Sequence, residues 1–211
     1  MPRPSRLVDV SVQLAPGLAT YPGNPAFEIT PVHTIAAGHG SNNSRLVMGT
    51  HTGTHVDAPL HFFDGRPGVD AMPLELLIGR ARVIDLPHRG GITEAHLSAA
   101  GLREDIRVLL RTPNSALWNT TDGFHTEYTY LTEGGAKFLV GQGVKVVGVD
   151  YLSVEQYQKA GAPAHTALLG NGVIIIEGLN LSDAEAGQYE MYCLPLRIAA
   201  DGAPARVVLK R

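Results

Sequence analysis

Residues 51–62 read His51-Thr52-Gly53-Thr54-His55-Val56-Asp57-Ala58-Pro59-Leu60-His61-Phe62. This short segment holds three histidines and one aspartate, separated by small residues, a glycine and a proline that disfavour a regular helix. Imidazole nitrogen and carboxylate oxygen are ligands that zinc and other borderline divalent metals accept. Because side chains on an irregular backbone can converge on one ion, the segment predicts a metal site. Its spacing matches neither the helical HExxH pattern nor a zinc finger.

The composition of this segment favours chemistry over scaffolding. Structural zinc is normally closed by four ligands in which cysteine is prominent, whereas catalytic sites keep three protein ligands and an open position. The chain has a single cysteine, Cys193, which lies far from the segment and is expected to be a buried structural thiol. A cation in an open site lowers the pKa of a water and polarises a carbonyl.

The amino-acid composition limits the classes of protein to which this chain can belong. The 211 residues are 44% hydrophobic and 18% charged, which suits one globular domain over residues 1–211. The net charge of -3, without a long run of lysine or arginine, excludes the usual footprint of a nucleic-acid partner. The apolar run at 173–176 is too short to span a membrane. The lone cysteine and the absence of a signal peptide at the N-terminus predict a cytoplasmic protein.

The apolar pattern predicts strands near both ends of the chain and a β-α-β arrangement between them, which is a mixed α/β fold. The predicted strands are 7–14, 27–35, 45–49, 81–86, 106–111, 144–149, 173–176, 190–198 and 205–210. The predicted helices are 73–78, 92–100 with Thr93 as its cap, 133–142 and 153–160, with a helical turn at 166–169.

Residues 112–125 read as a long polar loop. Long loops inside compact domains are often binding elements, so Ser115 and Trp118 are candidates to line a pocket. Ser115 lacks the glycines of a nucleophile elbow, and a serine-hydrolase mechanism is therefore unsupported.

Residues 51–62 resemble the signature of the cyclase-like metal-dependent hydrolase family, which includes bacterial kynurenine formamidases and isatin hydrolases. Later blocks resemble family blocks in the same order, and Tyr21-Pro22-Gly23-Asn24-Pro25 resembles an early aromatic block. The later blocks are 148–150, 153–154, 164–165, 175–181 and 194–196. The resemblance implies a single-domain, mixed-sheet swivelling β/β/α fold and a homodimer, and it suggests that Tyr21 lies near the substrate pocket.

The resemblance also implies roles for individual residues. His51, His55 and Asp57 are the expected ligands of one divalent metal, with zinc expected first and manganese as the alternative. A second metal, where present, would share Asp57 and add His165 and Glu177. Glu177 ends the apolar run at 173–176, where an ionised carboxylate needs a partner. His61 resembles the family's proton-transfer residue, and its alternative role is a further metal ligand.

The activity implied is hydrolysis of the carbon–nitrogen amide bond of a small aryl amide, first of all N-formylkynurenine. Two departures from the formamidase pattern keep other substrates open. Tyr21 stands where those enzymes have tryptophan, and residues 151–155 read Tyr-Leu-Ser-Val-Glu without their proline and aspartate. A cyclic amide such as isatin, or a lactone, is the alternative substrate. A non-catalytic metal-binding protein is the alternative class, and a true cyclase is less favoured because only 6% of residues are aromatic.

Overall fold

The computed structural model describes residues 6–102, 105–120 and 123–211. The first five residues, where the absence of a signal peptide is predicted, lie outside the described residues. Residues 121–122 of the predicted loop at 112–125 also lie outside them.

Twelve strands and four α-helices make up the described parts of the chain. The strands are β1 Leu7–Asp9, β2 Glu28–His33, β3 Asn43–Val47, β4 His55–Asp57, β5 Ile78–Asp85, β6 Gly91–Ile92, β7 Arg107–Arg111, β8 Tyr130–Leu131, β9 Val146–Val149, β10 Ile174–Glu177, β11 Gly187–Pro195 and β12 Gly202–Lys210. The helices are α1 Leu74–Leu77, α2 Glu94–Ala99, α3 Glu133–Gly141 and α4 Pro163–Gly170.

An eight-stranded mixed sheet forms the body of the protein, in the order β1-β12-β11-β5-β7-β9-β10-β4. Because β4 also pairs with β12, the sheet closes into a barrel. The neighbours from β5 to β10 run parallel, as expected for strands joined through helices, and the remaining pairs are antiparallel. The expected mixed α/β fold is therefore confirmed.

The central strands are buried on both faces. Ile174 and Ile176 of β10 belong to one hydrophobic cluster, whereas Ile175, which points the other way, belongs to a second cluster with residues of α2, α3 and α4. Val146 and Val147 of β9 divide between the two clusters in the same way. Unbroken β-branched runs are typical of such doubly covered strands, and the predictions at 144–149 and 173–176 are confirmed.

The prediction of a helix at 153–160 is wrong. This segment consists of turns, and its amides are bonded to side chains: Val154 N donates to Glu177 and Glu155 N donates to Ser153 Oγ. The next helix begins earlier than expected, at Pro163, which suits a first helical position because proline has no N–H to leave unpaired.

The polar loop predicted at 112–125 is partly helical, since residues Pro113–Asn119 form a 3-10 helix capped by Thr112. Thr93 occupies the N-cap of α2, as predicted. No α-helix in the described segments is long and apolar enough to cross a membrane.

Candidate metal centre

Strand β4 brings the central part of the 51–62 segment into the barrel. His55 and Asp57 are two residues apart, so their side chains point to the same face of this three-residue strand. On one side β4 pairs with β10, where His55 lies opposite Glu177. On the other side it pairs with β12, where Asp57 lies opposite Gly202. A Cβ atom at Gly202 would lie 2.6 Å from Cε1 of His51, so glycine is required there to admit this imidazole ring.

The first group of ligand atoms comes from His51, His55 and Asp57, and these atoms lie within 4.8 Å of one another. His51 Nδ1 is 2.8 Å from Asp57 Oδ1, and His55 Nε2 is 3.4 Å from the same oxygen. His55 Nδ1 donates a hydrogen bond to the carbonyl of Gly53 at 2.8 Å. This bond fixes the His55 ring so that Nε2 faces the carboxylates of Asp57 and Glu177.

Two atoms of this group show that the residues fit a cation. His55 Nε2 and Asp57 Oδ2 are buried, and neither has a hydrogen-bond partner among the described residues. Buried polar atoms in folded proteins are nearly always paired, because an unpaired one costs about 1–3 kcal/mol. A divalent ion between them would satisfy both, and the donor set of imidazole nitrogen and carboxylate oxygen suits zinc or manganese.

His165 and Glu177 lie against the same carboxylate. His165 Nε2 is 3.2 Å from Glu177 Oε1 and 3.7 Å from Asp57 Oδ2. The structure thus brings together all five residues that the sequence proposed as ligands, although they are up to 126 positions apart. The extremes of the set are His51 and Glu177, and its other members are His55, Asp57 and His165.

The carboxylates determine the charge state of this cluster. Burial opposes charge on His55, but the carboxylates of Asp57 and Glu177, which lie 3.4 and 3.5 Å from its Nε2, outweigh it and raise the pKa of His55 to about 10. Burial likewise opposes charge on His165, and Glu155 and Glu177 raise its pKa to about 10. Burial also opposes ionisation of Asp57, yet the hydrogen bond with His51 and the nearby His55 hold its pKa well below its usual range. The carboxylates that stabilise these protons would equally stabilise a metal ion, and the histidines that ligate it would release their protons.

His61 lies beside the first group, at the end of a short 3-10 helix, Pro59–His61. Its ring centroid is 4.0 Å from that of His51, and its side chain is 29% exposed. Burial is the main cause that lowers the pKa of His61 below its ordinary value. His61 is therefore neutral at pH 7 and can accept a proton. It also groups with Asp57 and His165 as a potential ligand, so both roles named from the sequence are geometrically available.

A cavity of about 270 Å³ opens over these groups. Apolar walls come from Tyr21, Phe62 and Leu152, and the ring of Phe62 stacks on His165 at 4.7 Å. The full lining consists of Tyr21, Asn24, His51, His61, Phe62, Leu152, Ser153, Glu155, Gln156, Gln158, Lys159, Ala162, His165 and Glu177.

Ser115 and Trp118 do not line this cavity, which corrects their assignment to the pocket. The Ser115 hydroxyl donates to Asp150 Oδ2 at 2.7 Å and accepts from Leu181 N. Trp118 Nε1 donates to the carbonyl of Leu179 at 2.9 Å. Both side chains fasten the 3-10 helix to the ends of β9 and β10, so their role is structural.

Two carboxylates of the site were missed by the sequence reasoning. Glu155 Oε2 accepts from the Ala164 amide at 2.8 Å and so holds the first turn of α4, which carries His165. Asp201 Oδ2 lies 2.8 Å from His51 Nε2. Glu155 follows the mixed sequence Leu152-Ser153-Val154, which gives no clear local signal of a buried carboxylate. Asp201 precedes a glycine in what reads as an ordinary turn, and nothing local distinguishes it.

Comparisons with known proteins agree with this geometry. The Cyclase family model, described as "Putative cyclase", matches residues 8–156. Cyclase-like protein 2 of Oryza sativa subsp. japonica is 41% identical over 187 residues, which cover 83% of this chain and 68% of that protein. A structure described as a "predicted metal-dependent hydrolase" from Bacillus stearothermophilus is 34% identical, with a TM-score of 0.85 and 98% of each chain covered. Isatin hydrolase A from Ralstonia solanacearum is 25% identical, with a TM-score of 0.83, and the match covers 98% of this chain and 92% of that one.

Proposed function

Because this chain belongs to the cyclase family, we propose that it is a cytoplasmic metal-dependent hydrolase that cleaves the amide bond of a small aryl amide, with N-formylkynurenine as the first substrate. The observation that carries the proposal is the pair of buried, unpaired atoms His55 Nε2 and Asp57 Oδ2, whose neighbours His51, His165 and Glu177 line a cavity together with His61. Buried, unpaired ligand atoms next to a cavity that holds further titratable groups are a common mark of a catalytic cation site.

His51, His55 and Asp57 would hold one ion, and Asp57, His165 and Glu177 would hold a second. When bound, such ions supply Lewis acidity toward the amide carbonyl and the attacking water. Zinc is the first candidate and manganese the second, because both accept this donor set.

His61 performs the proton transfers in the proposed reaction. A water oxygen bonds to the carbonyl carbon, and the proton of this water passes to His61. The carbon–nitrogen bond then breaks and His61 returns the proton to the departing nitrogen, so that N-formylkynurenine and water give formate and kynurenine. The lowered pKa of His61 suits the first transfer, since the imidazole must begin neutral.

The cavity suits an aromatic substrate with a polar end. Tyr21 and Phe62 offer ring faces, and Tyr21 is itself held by edge contacts with Phe124 at 5.2 Å. Asn24 and Lys159 also line the cavity, and they suit the charged amino-acid end of N-formylkynurenine. Isatin is the second candidate, supported by the likeness to isatin hydrolase A and by Tyr21 in place of tryptophan.

The experiment is metal analysis of the purified protein followed by assays with N-formylkynurenine and isatin, each after loading with zinc or manganese. Release of formate and kynurenine supports the proposal, and turnover of isatin alone favours the second candidate. A metal-loaded protein that hydrolyses neither substrate, nor related aryl amides and lactones, would favour the non-catalytic alternative. Lys159→Gln tests the substrate orientation: it should raise KM for N-formylkynurenine and leave the KM of N-(2-acetylphenyl)formamide, which lacks the charged end, unchanged.

We also propose that two copies associate through the hairpin of β2 and β3. Every residue of β2 is exposed, and the apolar Ile29 and Val32 are 46% and 55% exposed. An apolar groove of about 680 Å³ lies nearby, with Leu46 of β3, Leu194 and other apolar side chains in its walls. Exposed apolar side chains grouped on one hairpin and next to an apolar groove suit an interface between two copies.

A further inference from the structure

We propose that Asp201 is a positioning residue that acts on two groups of the site at once, the ligand His51 and the proton-transfer residue His61. This inference rests on the proposed function, because it assigns Asp201 to the same site. Asp57 contacts only the Nδ1 of His51, so the other ring nitrogen, Nε2, is held by a group outside the five ligand residues.

One oxygen of Asp201 serves both rings. Asp201 Oδ2 is 2.8 Å from His51 Nε2 and 3.3 Å from His61 Nδ1. The other oxygen, Oδ1, accepts from the Thr50 hydroxyl at 3.2 Å. The carboxylate therefore lies between the two imidazoles, hydrogen-bonded to His51 and in ion-pair contact with His61, and the ring centroids are 4.0 Å apart.

The backbone holds Asp201 in this position. Its carbonyl accepts from the Ala58 amide at 2.9 Å, and the next residue, Gly202, lies opposite Asp57 in the pairing of β12 with β4. The carboxylate is thus fixed against the same segment that carries both histidines. The side chain is 40% exposed, so its removal leaves no large buried cavity.

The hydrogen bond to Asp201 determines which ring nitrogen of His51 is available to bind a cation. A carboxylate only accepts hydrogen bonds, so the His51 Nε2–H donates to Asp201, while Nδ1 faces Asp57 at 2.8 Å. When Nδ1 ligates a cation its proton is released, whereas the proton at Nε2 remains in the hydrogen bond to Asp201. Metal-ligating histidines typically have such a carboxylate on the second nitrogen, and its loss costs about 10–100-fold in metal affinity.

The Asp201 carboxylate also affects which ring nitrogen of His61 carries the proton. His61 Nδ1 is 3.3 Å from the Asp201 carboxylate, whose negative charge favours a proton on Nδ1 and so leaves the lone pair of the neutral ring on Nε2 for proton transfer. Because the same carboxylate oxygen contacts both rings, loss of Asp201 should disturb the ligand His51 and the proton-transfer residue together. Metal affinity and turnover should therefore fall together when Asp201 is lost.

The test measures zinc affinity by chelator competition, without substrate, in the wild-type protein, Asp201→Ala, Asp201→Asn and the control Asp85→Ala. Asp85 is an exposed acid that pairs with Arg111. We expect zinc affinity to fall about 10–100-fold in Asp201→Ala, to be partly retained in Asp201→Asn, whose oxygen can accept one bond, and to be unchanged in Asp85→Ala. Circular dichroism should show that all variants fold.

A second readout separates positioning from a purely structural role. Nitrogen-15 NMR of the zinc-loaded wild-type protein should show one histidine with Nε2–H and ligated Nδ1, and this signal should be lost or averaged in Asp201→Ala. Turnover of any hydrolysed substrate should fall about tenfold or more with little change in KM. Wild-type affinity together with an unchanged histidine signal in Asp201→Ala overturns the inference. A wild-type protein that binds metal but hydrolyses nothing overturns the proposed activity alone.

Discussion

His55 of β4 lies directly opposite Glu177 of β10 in the antiparallel register, and its Nε2 is 3.5 Å from Glu177 Oε2. The two residues are 122 positions apart in sequence. Their pairing joins the histidine-rich segment to the buried end of an apolar strand. The candidate metal centre is therefore a product of strand pairing.

Asp57→Ala should remove metal and activity together. Asp57 lies against His51, His55 and His165, so its loss deprives both proposed ions of their shared ligand. We expect the zinc content, measured by elemental analysis after exhaustive dialysis, to fall below about a tenth of the wild-type value. Asp85→Ala serves as the control. Full metal occupancy in Asp57→Ala would contradict a shared carboxylate.

His61→Ala should keep the metal and lose turnover. Since general acid–base catalysis typically contributes 10²–10⁴-fold, kcat should fall by roughly that factor while the metal content stays at the wild-type level. The half-buried His88, which stacks on His96 away from the cavity, provides the control variant His88→Ala. Loss of metal in His61→Ala would instead identify His61 as a ligand, and unchanged kinetics would remove it from the reaction.

The buried Asp150 should make stability depend on pH. Burial raises the pKa of Asp150 to about 6, in spite of the hydrogen bonds that Thr112 and Ser115 donate to it. Since the folded protein holds this proton more tightly than the unfolded chain, the contribution is full below about pH 4 and is lost as the pH rises through about 6. The wild-type protein should therefore lose roughly 2 kcal/mol relative to Asp150→Asn between pH 4 and pH 7. Urea unfolding at both pH values measures this difference, and a constant difference would contradict it.

Cys193 should be inert in the folded protein. The thiol is fully buried, and burial raises its pKa to about 12, so almost no thiolate forms at pH 8. A thiol reagent such as dithionitrobenzoate should therefore label no cysteine in native protein and one per chain in 6 M guanidinium. Rapid labelling of the native protein at pH 8 would show that β11 opens readily.

The hairpin of β2 and β3 should control association. Val32→Asp places a charge on a residue that is 55% exposed, so it should leave folding intact but abolish a dimer built on this surface. Light scattering coupled to gel filtration should give the dimer mass for wild type and the monomer mass for Val32→Asp. Ile106→Asp, at 45% exposure outside the hairpin, is the matched control. A dimeric Val32→Asp protein would place the interface elsewhere.

The part of the site whose residues lie close together in the chain could be predicted from the sequence. A metal site could be predicted from the residues because three histidines and one aspartate are concentrated in one short segment. The choice of His51, His55 and Asp57 as ligands, and the addition of His165 and Glu177, came from the resemblance to the family. The central strands were predictable for a similar reason, since a strand buried on both faces needs an unbroken apolar run.

The failures have a common physical origin in long-range pairing. Asp201 reaches His51 only because β12 closes the barrel against β4. The helix expected at 153–160 does not form because Glu177, from β10, accepts the amide of Val154. The polar Ser115 was assigned to a pocket, but it instead satisfies the buried Asp150. In each case the partner lies far away in sequence, where no local pattern reveals it.

The closure of the barrel by β4 bears on how the protein folds. His51, His55 and Asp57 are neighbours in the unfolded chain and can bind a metal weakly there, whereas His51 meets Asp201 across 150 residues. Contacts of such long range form slowly, because the entropy of closing the loop is lost before the contact is gained. A metal that is bound early by His51, His55 and Asp57 would not yet have the contacts that form only when the barrel closes. Because the unfolded chain can also bind the metal, only the excess affinity of the closed barrel for the metal would count toward stability.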